Sequence, residues 1–494
     1  MSYDLPPICL RTKRLTFHSR DVPYSAPSAI PDVFTSYRKS VEPLREAPRN
    51  VLPTPQSLPP QPTSIPPQSS PFTIPSTLDS IVSALVAPLE STPMLKDPPP
   101  RPSDTPSAHP FQGGSASAHN RLAYLISSGS MTHYKDSRNG LLGMDFSTKL
   151  SAWLALGCLT ARQVHSELLR FEDGCNDEWK LVEGYGKGEN SGTAAVRFEL
   201  LWRDYMRLCT RKFGSKLFRV SGFRGDESYP WKTPGKGPMN GNGHVQVNRN
   251  GQADGNGYCN GNGHATGNDS STLSTEEMLR RFLSGTTGTG LIDASQRELL
   301  HTGYTSNRAR QNVASYLTKH LGINWMLGAE WYECMLIDYD VSSNWGNWQY
   351  VAGVGNDPRG EARVFNPIKQ ACDYDPHGEY VMAWVPELRG LDDAQIVFQA
   401  WKMDEEERRR RGLDGVDWVE HPLKRIDFRV GSGRRGGSSR DGGGQYGGSS
   451  KSKTNAGGGG GGGGRGRGGG SFGSRGGYRG RGRGRSEEDR RGQT

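Results

Sequence analysis

The sequence predicts an all-α protein with one helical core, and three observations carry that expectation. Between about residues 111 and 400 apolar residues recur at three- and four-residue steps, strand-like alternation of useful length is missing, and the remaining segments are low in complexity. In "AVRFELLWRDYMRLCTRKFG" the stripe is Phe198, Leu201, Trp202, Tyr205, Leu208 and Cys209, closed by Gly214. "STKLSAWLALGCLTARQVHSELLRFE" reads as two helices, the second opened by Thr160 as an N-cap. "SNRARQNVASYLTKHLGI" and "MLGAEWYECMLIDYD" repeat the pattern, the first ending near Gly322.

Composition limits that core. Hydrophobic residues are 33% of the 494, whereas Gly (66) and Pro (32) are abundant. They concentrate in stretches that bury too little to offset the entropy of ordering. Residues 47–110 are crowded with Pro and Ser and read as an extended linker. Residues 233–272 read as a disordered Gly/Asn-rich insertion, 401–430 as a short helical extension of the core, and 431–494 as a disordered RGG-type tail. Residues 31–43, within the leading segment 1–46, could form a short helix.

The tail holds 14 Lys or Arg against 4 Asp or Glu, while the whole chain carries +9, so everything ahead of the tail is close to neutral. Nucleic-acid binding by the core would therefore need a local basic rim. Seven scattered cysteines with no C-x-x-C pair indicate neither a zinc site nor a disulfide framework, and no other metal site is indicated. They suit an intracellular protein, nuclear or cytoplasmic, with an organelle left open. No apolar run approaches the roughly 18 residues of a membrane span. A monomer without membrane association is expected.

Four segments stand out chemically. Tyr134 and Lys135 precede Ser147, Thr148, Lys149, Leu150 and Ser151, where hydroxyls, a cation and backbone N–H groups could meet a phosphate; taken alone, these residues read more readily as an ordinary capped helix start. Glu199 and Arg203 lie four apart on a helix with Trp202 beside them, which also suits a surface ion pair over a core Trp. Arg308, Arg310 and Gln311 open another helix, either gripping anions or simply solvated. "LIDYDVSSNWGNWQYVAGVGNDPR" packs Asp338, Asp340, Asn344, Trp345, Trp348 and Tyr350 more densely than a packing helix ordinarily does.

These same stretches, "YKDSRNGLLGMDFSTKLSAWLALGCL", "FELLWRDYMR", "TGYTSNRARQNVASYLTKHLGINWMLGAEWYECMLIDYD", "SNWGNWQYVAGVGNDPR" and "FNPIKQACDYDPHGEYVMAWVPEL", resemble the C-terminal domain of the photolyase/cryptochrome family, closest to its DASH branch. The resemblance covers about 115–232 and 275–390. It implies a helical bowl holding FAD bent into a U, with Tyr134 and Ser147, Thr148, Lys149, Leu150 and Ser151 as the phosphate cradle. Arg310, Asp338 and Asp340 would line the flavin, and Asn344 would face its N5. Glu199 would hydrogen-bond the bases of a DNA lesion between the aromatic walls Trp202 and Tyr350. Arg308 and Arg363 would grip DNA phosphates, with Gln311 beside the lesion. Trp348, Trp325 and Trp231 would relay electrons to the buried flavin.

The implied reaction is light-driven. Excited reduced FAD gives an electron to a cyclobutane pyrimidine dimer, the ring splits and the electron returns. Extruding a dimer costs least from single strands, the substrate form that the DASH branch implies. A photoreceptor that repairs little, or an RNA-binding protein acting through the RGG tail, are the alternatives.

Two departures from the family are visible. Its N-terminal α/β antenna domain is represented only by residues around 31–43, so the antenna 5,10-methenyltetrahydrofolate, used elsewhere in the family, is doubtful here. In "RRFLSGTTGTGLIDA", Phe282, Thr289 and Gly290 replace an aromatic and a Tyr-Pro pair, which is expected to loosen the rim of the bowl.

Overall fold

The computed structural model describes residues 22–46, 48–53, 56–57, 59–64, 75–91, 93–96, 98–239, 273–359 and 363–426, with two isolated positions, 16 and 428, besides. Three short helices lead: α1 (Phe34–Val41), α2 (Leu78–Val86) and α3 (Pro93–Lys96). A first helical group follows, with α4 (Ser115–Ser127), α5 (Tyr134–Ser137), α6 (Ser151–Leu156), α7 (Ala161–Glu172) and the 23-residue α8 (Ser191–Phe213). Beyond an antiparallel hairpin of Trp231–Thr233 with Lys236–Met239 come α9 (Thr275–Ser284), α10 (Gly290–Thr302) and α11 (Asn307–Ser315), which runs into a π-helical turn (Tyr316–His320). The chain continues through α12 (Trp325–Met335), α13 (Val341–Ala352), α14 (Pro367–Tyr374), α15 (Glu379–Trp384) and α16 (Ala394–Phe398). Two further short helices, α17 (Glu405–Arg410) and α18 (Asp417–Glu420), close it. The expected all-α fold is what the described residues form, the hairpin apart.

Local chemistry starts these helices where the sequence provides caps. Thr160 accepts the Gln163 N–H at 3.2 Å while the Gln163 side chain takes the Thr160 N–H at 2.9 Å. Asn190 accepts the amides of Gly192 and Thr193, both at 2.9 Å, and so opens α8; Ser306 and Asp340 open α11 and α13 in the same way.

Three apolar clusters form the core, and two helices join them. α8 gives Val196 and Leu200 to a cluster with α4, α6 and α7, and Leu201, Tyr205 and Met206 to a second one with α11, α12 and α13. α10 gives Ile292 and Leu299 to that second cluster, and Leu291 and Ala294 to a third with α14, α15 and α16. The leading segment belongs to this body as well. Tyr37 of α1 is fully buried and stacks on Tyr205 at 5.6 Å, and Arg45 reaches the buried Glu172 at 3.1 Å.

Several expectations need correction. The linker is not extended throughout, because α2 and α3 lie within it and residues 101–110 form an ordered strap over the core. Thr105, Ala108 and His109 are buried, and the Thr105 hydroxyl donates to the Ala383 carbonyl at 2.7 Å. Proline-rich backbone leaves carbonyls and side chains free for such distant partners, so its composition conceals the packing. The helical extension is core rather than appendage: Met403, Leu413, Trp418 and Val419 are buried in the third cluster. The insertion begins as a strand of the hairpin; its remainder, 240–272, and the tail 431–494 lie outside the described residues.

The rim loop is not loosened either. Asp293 accepts the Thr287 and Gly288 amides at 2.6 and 2.9 Å, and Gly290 packs so closely that a Cβ there would stand 2.5 Å from the Val397 carbonyl.

Gly328 of α12 lets the Trp348 ring of α13 close on the helix, since a Cβ would lie 2.2 Å from the ring. Gly328→Ala is expected to destabilise the protein by about 1–3 kcal/mol through overpacking, read as a fall in the midpoint of urea unfolding.

Candidate functional site

The segment 144–151 is shaped before anything binds to it. Ser147 and Lys149 hold left-handed backbone angles, φ 69° and 60°, that side chains with a Cβ resist. Leu150 follows in the right-handed region, and adjacent αL and αR residues turn successive N–H groups into a concave, anion-accepting nest. Arg121 of α4 holds this backbone from behind. Its guanidinium donates to the carbonyls of Met144 (2.8 Å) and Thr148 (3.3 Å) and pairs with Asp145 at 2.9 Å. Tyr134, buried beside the segment, hydrogen-bonds Ser147, and burial with the neighbouring Glu199 raises its phenol.

The Lys149 ammonium does not face outward, as expected for a phosphate contact. It is buried, 3.3 Å from the Tyr304 hydroxyl and 4.7 Å from the centre of that ring. Burial pushes it down to about 8 against the attraction of Glu298. Glu298, itself fully buried, accepts from the Tyr380 hydroxyl at 2.7 Å, and burial pushes its carboxyl up to about 7. Neither charge is welcome in this interior, and each limits the cost of the other.

Tyr304 connects this pair to the floor of the site. The Arg310 guanidinium lies 5.5 Å from the Tyr304 ring, donates to Thr305 O at 2.9 Å and pairs with Asp338 Oδ2 at 2.9 Å. Asp338 Oδ1 is buried without a partner, a configuration that calls for a donor from a bound group. Asp340 is occupied differently. One oxygen caps α13 at Ser343 and the other pairs with Arg207, which overcomes burial and holds the carboxyl below its ordinary value. Asn344 is buried and oriented by donation from Nδ2 to the Ala329 carbonyl at 2.9 Å.

The rim gathers charge around Glu199. This carboxylate pairs with Arg138, not with Arg203, whose guanidinium donates to Leu154 O at 3.0 Å. Its side chain keeps 38% of its exposure, yet burial still raises the carboxyl, the combination expected of a group at the bottom of an open cleft. Arg308 donates to Asn139 at 2.7 Å and to Gln311 at 3.1 Å; burial lowers it, and the cations Arg138 and Arg363 add to the effect. Three guanidiniums therefore share one neighbourhood. Arg363 is tethered to the buried Asp357 at 3.1 Å and covers the Tyr350 ring at 5.3 Å, so it braces an aromatic wall as well as adding charge. Trp202 and Tyr350 meet edge to face at 5.3 Å, with Trp202 anchored by Asn347 at 3.2 Å and backed by Phe34 at 4.7 Å.

Trp348, Trp325 and Trp231 are all buried in the second cluster. Their recorded ring contacts run elsewhere: Trp325 to Trp345 at 5.7 Å, Trp231 to Tyr229 at 5.0 Å and Trp348 to Tyr332 at 5.3 Å. Arg121, Arg138, His109, Tyr304 and Glu298 were not singled out from sequence. Arg138 and Tyr304 stand inside stretches that carried the family resemblance, whereas Arg121, Glu298 and His109 act through carbonyls or buried partners that no spacing reveals.

A helical shell with a backbone nest, a buried Arg–Asp floor and an open cationic rim matches a known class. The family model described as the FAD binding domain of DNA photolyase matches residues 197–422. A Neurospora crassa protein with the designation cryptochrome DASH, mitochondrial, is 49% identical over 437 residues, spanning 85% of this chain and 54% of that protein. The cryptochrome DASH of Natronomonas pharaonis is 36% identical, spanning 84% of this chain and 70% of that one. The crystal structure of a Synechocystis cryptochrome superposes with a TM-score of 0.59 at 34% identity, covering 84% of this chain and 71% of that chain. The chain belongs to the photolyase/cryptochrome family, within its DASH branch. It spans about half the length of the Neurospora relative.

Arg121→Ala removes the donors that fix the nest. The purified variant is expected to bind FAD about tenfold more weakly than the parent, the scale of a charged hydrogen bond, as read by titration of flavin fluorescence.

Proposed function

We propose that this chain holds FAD in the bowl and uses light to split cyclobutane pyrimidine dimers in single-stranded DNA. The observation that carries the reading is Glu199, a carboxyl raised by burial yet open to solvent, beside the perpendicular Trp202–Tyr350 pair and beneath Arg138, Arg308 and Arg363. Tyr134, the segment Ser147, Thr148, Lys149, Leu150 and Ser151, Arg310, Asp338 and Asn344 would hold the cofactor. The partnerless Asp338 Oδ1 and the outward N–H groups of the nest fit its polar edge and diphosphate. When bound and reduced, FAD supplies a light-excited electron donor.

The chain's own residues do the rest. The three guanidiniums neutralise backbone phosphates and position the strand without reading its sequence. Trp202 and Tyr350 offer two faces at right angles on which an extruded pair of bases can pack, replacing the stacking lost on extrusion. Glu199 can accept from a base N–H when ionised or donate to a base carbonyl when protonated, and burial favours the second state. Asn344, held by Ala329, would offer an uncharged amide to the cofactor and place no fixed charge against a reduced anionic ring. The floor pair Arg310–Asp338 balances its own charge.

Illumination of the FAD-loaded protein with dimer-containing oligothymidine is expected to remove dimers in light and not in darkness. Glu199→Ala is expected to weaken binding of the damaged strand about tenfold while leaving FAD bound. An unchanged dimer count with reduced FAD in place would reject repair and favour the photoreceptor alternative.

A further inference from the structure

One of the groups holding the cradle comes from the strap, ahead of the residues matched by the family model. His109 is buried, its ring standing 5.1 Å from Phe111, 5.1 Å from Tyr304 and 5.9 Å from Trp153. Its Nε2 lies 3.2 Å from the Lys149 carbonyl. A carbonyl can only accept, so Nε2 carries the proton, and Nδ1 is left buried with no partner. The strap is fixed on both sides of this residue. Thr105 is tied to Ala383 and to Arg389 at 2.7 and 2.9 Å, and Trp153 donates to the Gln112 carbonyl at 3.1 Å.

We infer that His109 is a positioning residue for the cofactor diphosphate, holding the Lys149 carbonyl so that the Leu150 N–H points into the cradle. The inference rests on the reading that the bowl binds FAD. A trans peptide is planar, and its C=O and N–H point in opposite directions. Drawing the Lys149 carbonyl toward His109 therefore turns the Leu150 N–H to the opposite side, as Arg121 does for the preceding peptide through the Thr148 carbonyl. The Leu150 N–H has only a long contact, 3.4 Å, to the Thr148 hydroxyl, so it remains available to a phosphate oxygen. Lys149 also sits at φ 60°, a strained angle that persists only where the surroundings hold the peptide. The ring suits the task because its neutral form is the stable one here. Burial lowers His109 below its ordinary value, outweighing the opposing hydrogen bond to the Lys149 carbonyl and the charge of Asp338, and the Lys149 ammonium adds to the lowering.

The test compares FAD-loaded parent, His109→Phe and His109→Gln by the rate of flavin release after dilution, read as recovery of free-flavin fluorescence. Phe fills the aromatic cage without a donor, and Gln restores an N–H that can reach the Lys149 carbonyl. Release about fivefold faster from H109F, with H109Q near the parent, is the expected result, the scale of one neutral hydrogen bond. Equal release from all three would overturn the inference while leaving FAD binding intact, whereas a parent that retains no FAD after reconstitution would remove the flavin reading itself. Should H109F fail to fold, H109N, whose amide is too short to reach the carbonyl, supplies the same comparison.

Discussion

Ser147 and Lys149 occupy backbone angles that a Cβ disfavours, and the structure around them is organised to keep them there. The penalty is of order 1–3 kcal/mol for each such residue, more than a free loop would tolerate. Arg121 meets it with two carbonyl bonds and an ion pair, His109 adds a third carbonyl, and the Lys149 side chain is drawn inward to Tyr304 and Glu298. The strain thus has a product. Peptide N–H groups that would otherwise satisfy one another are turned toward a common concavity.

The same economy of charge shapes the rim and the floor. In the floor every ion has a near partner, Arg310 with Asp338 and Arg207 with Asp340, as a low-dielectric interior requires. At the rim the balance is less even: Arg308 feels both Arg138 and Arg363, while Arg138 pairs with Glu199 and Arg363 with Asp357. A chain whose charge is otherwise near neutral can hold a polyanion if its cations are arranged in this way.

Much of this was legible in the sequence, and what was hidden has a physical cause. The stripe of α8 and the Thr160 cap follow from periodicity and side-chain type, and the fold confirms both helices, whereas the helical pattern expected to run through Asp340 breaks between Met335 and Val341. Arg363 shows the limit: its sequence position suggests a phosphate ligand, while the fold also gives it Asp357 and the Tyr350 ring. The strap was hardest to foresee. Its residues work through backbone carbonyls of partners 40 and 278 positions away, and Pro-rich composition looks the same whether the chain is loose or tied down.

Because α8 serves two apolar clusters at once, those two clusters cannot be parted without cutting through it. The match to the photolyase domain begins at residue 197, inside this helix and past its Asn190 cap. A fragment trimmed to that boundary would inherit a frayed helix end, an apolar flank stripped of α4 and α7, and a ligand bowl missing one wall. The smallest autonomous piece of this protein is therefore larger than its recognisable signature.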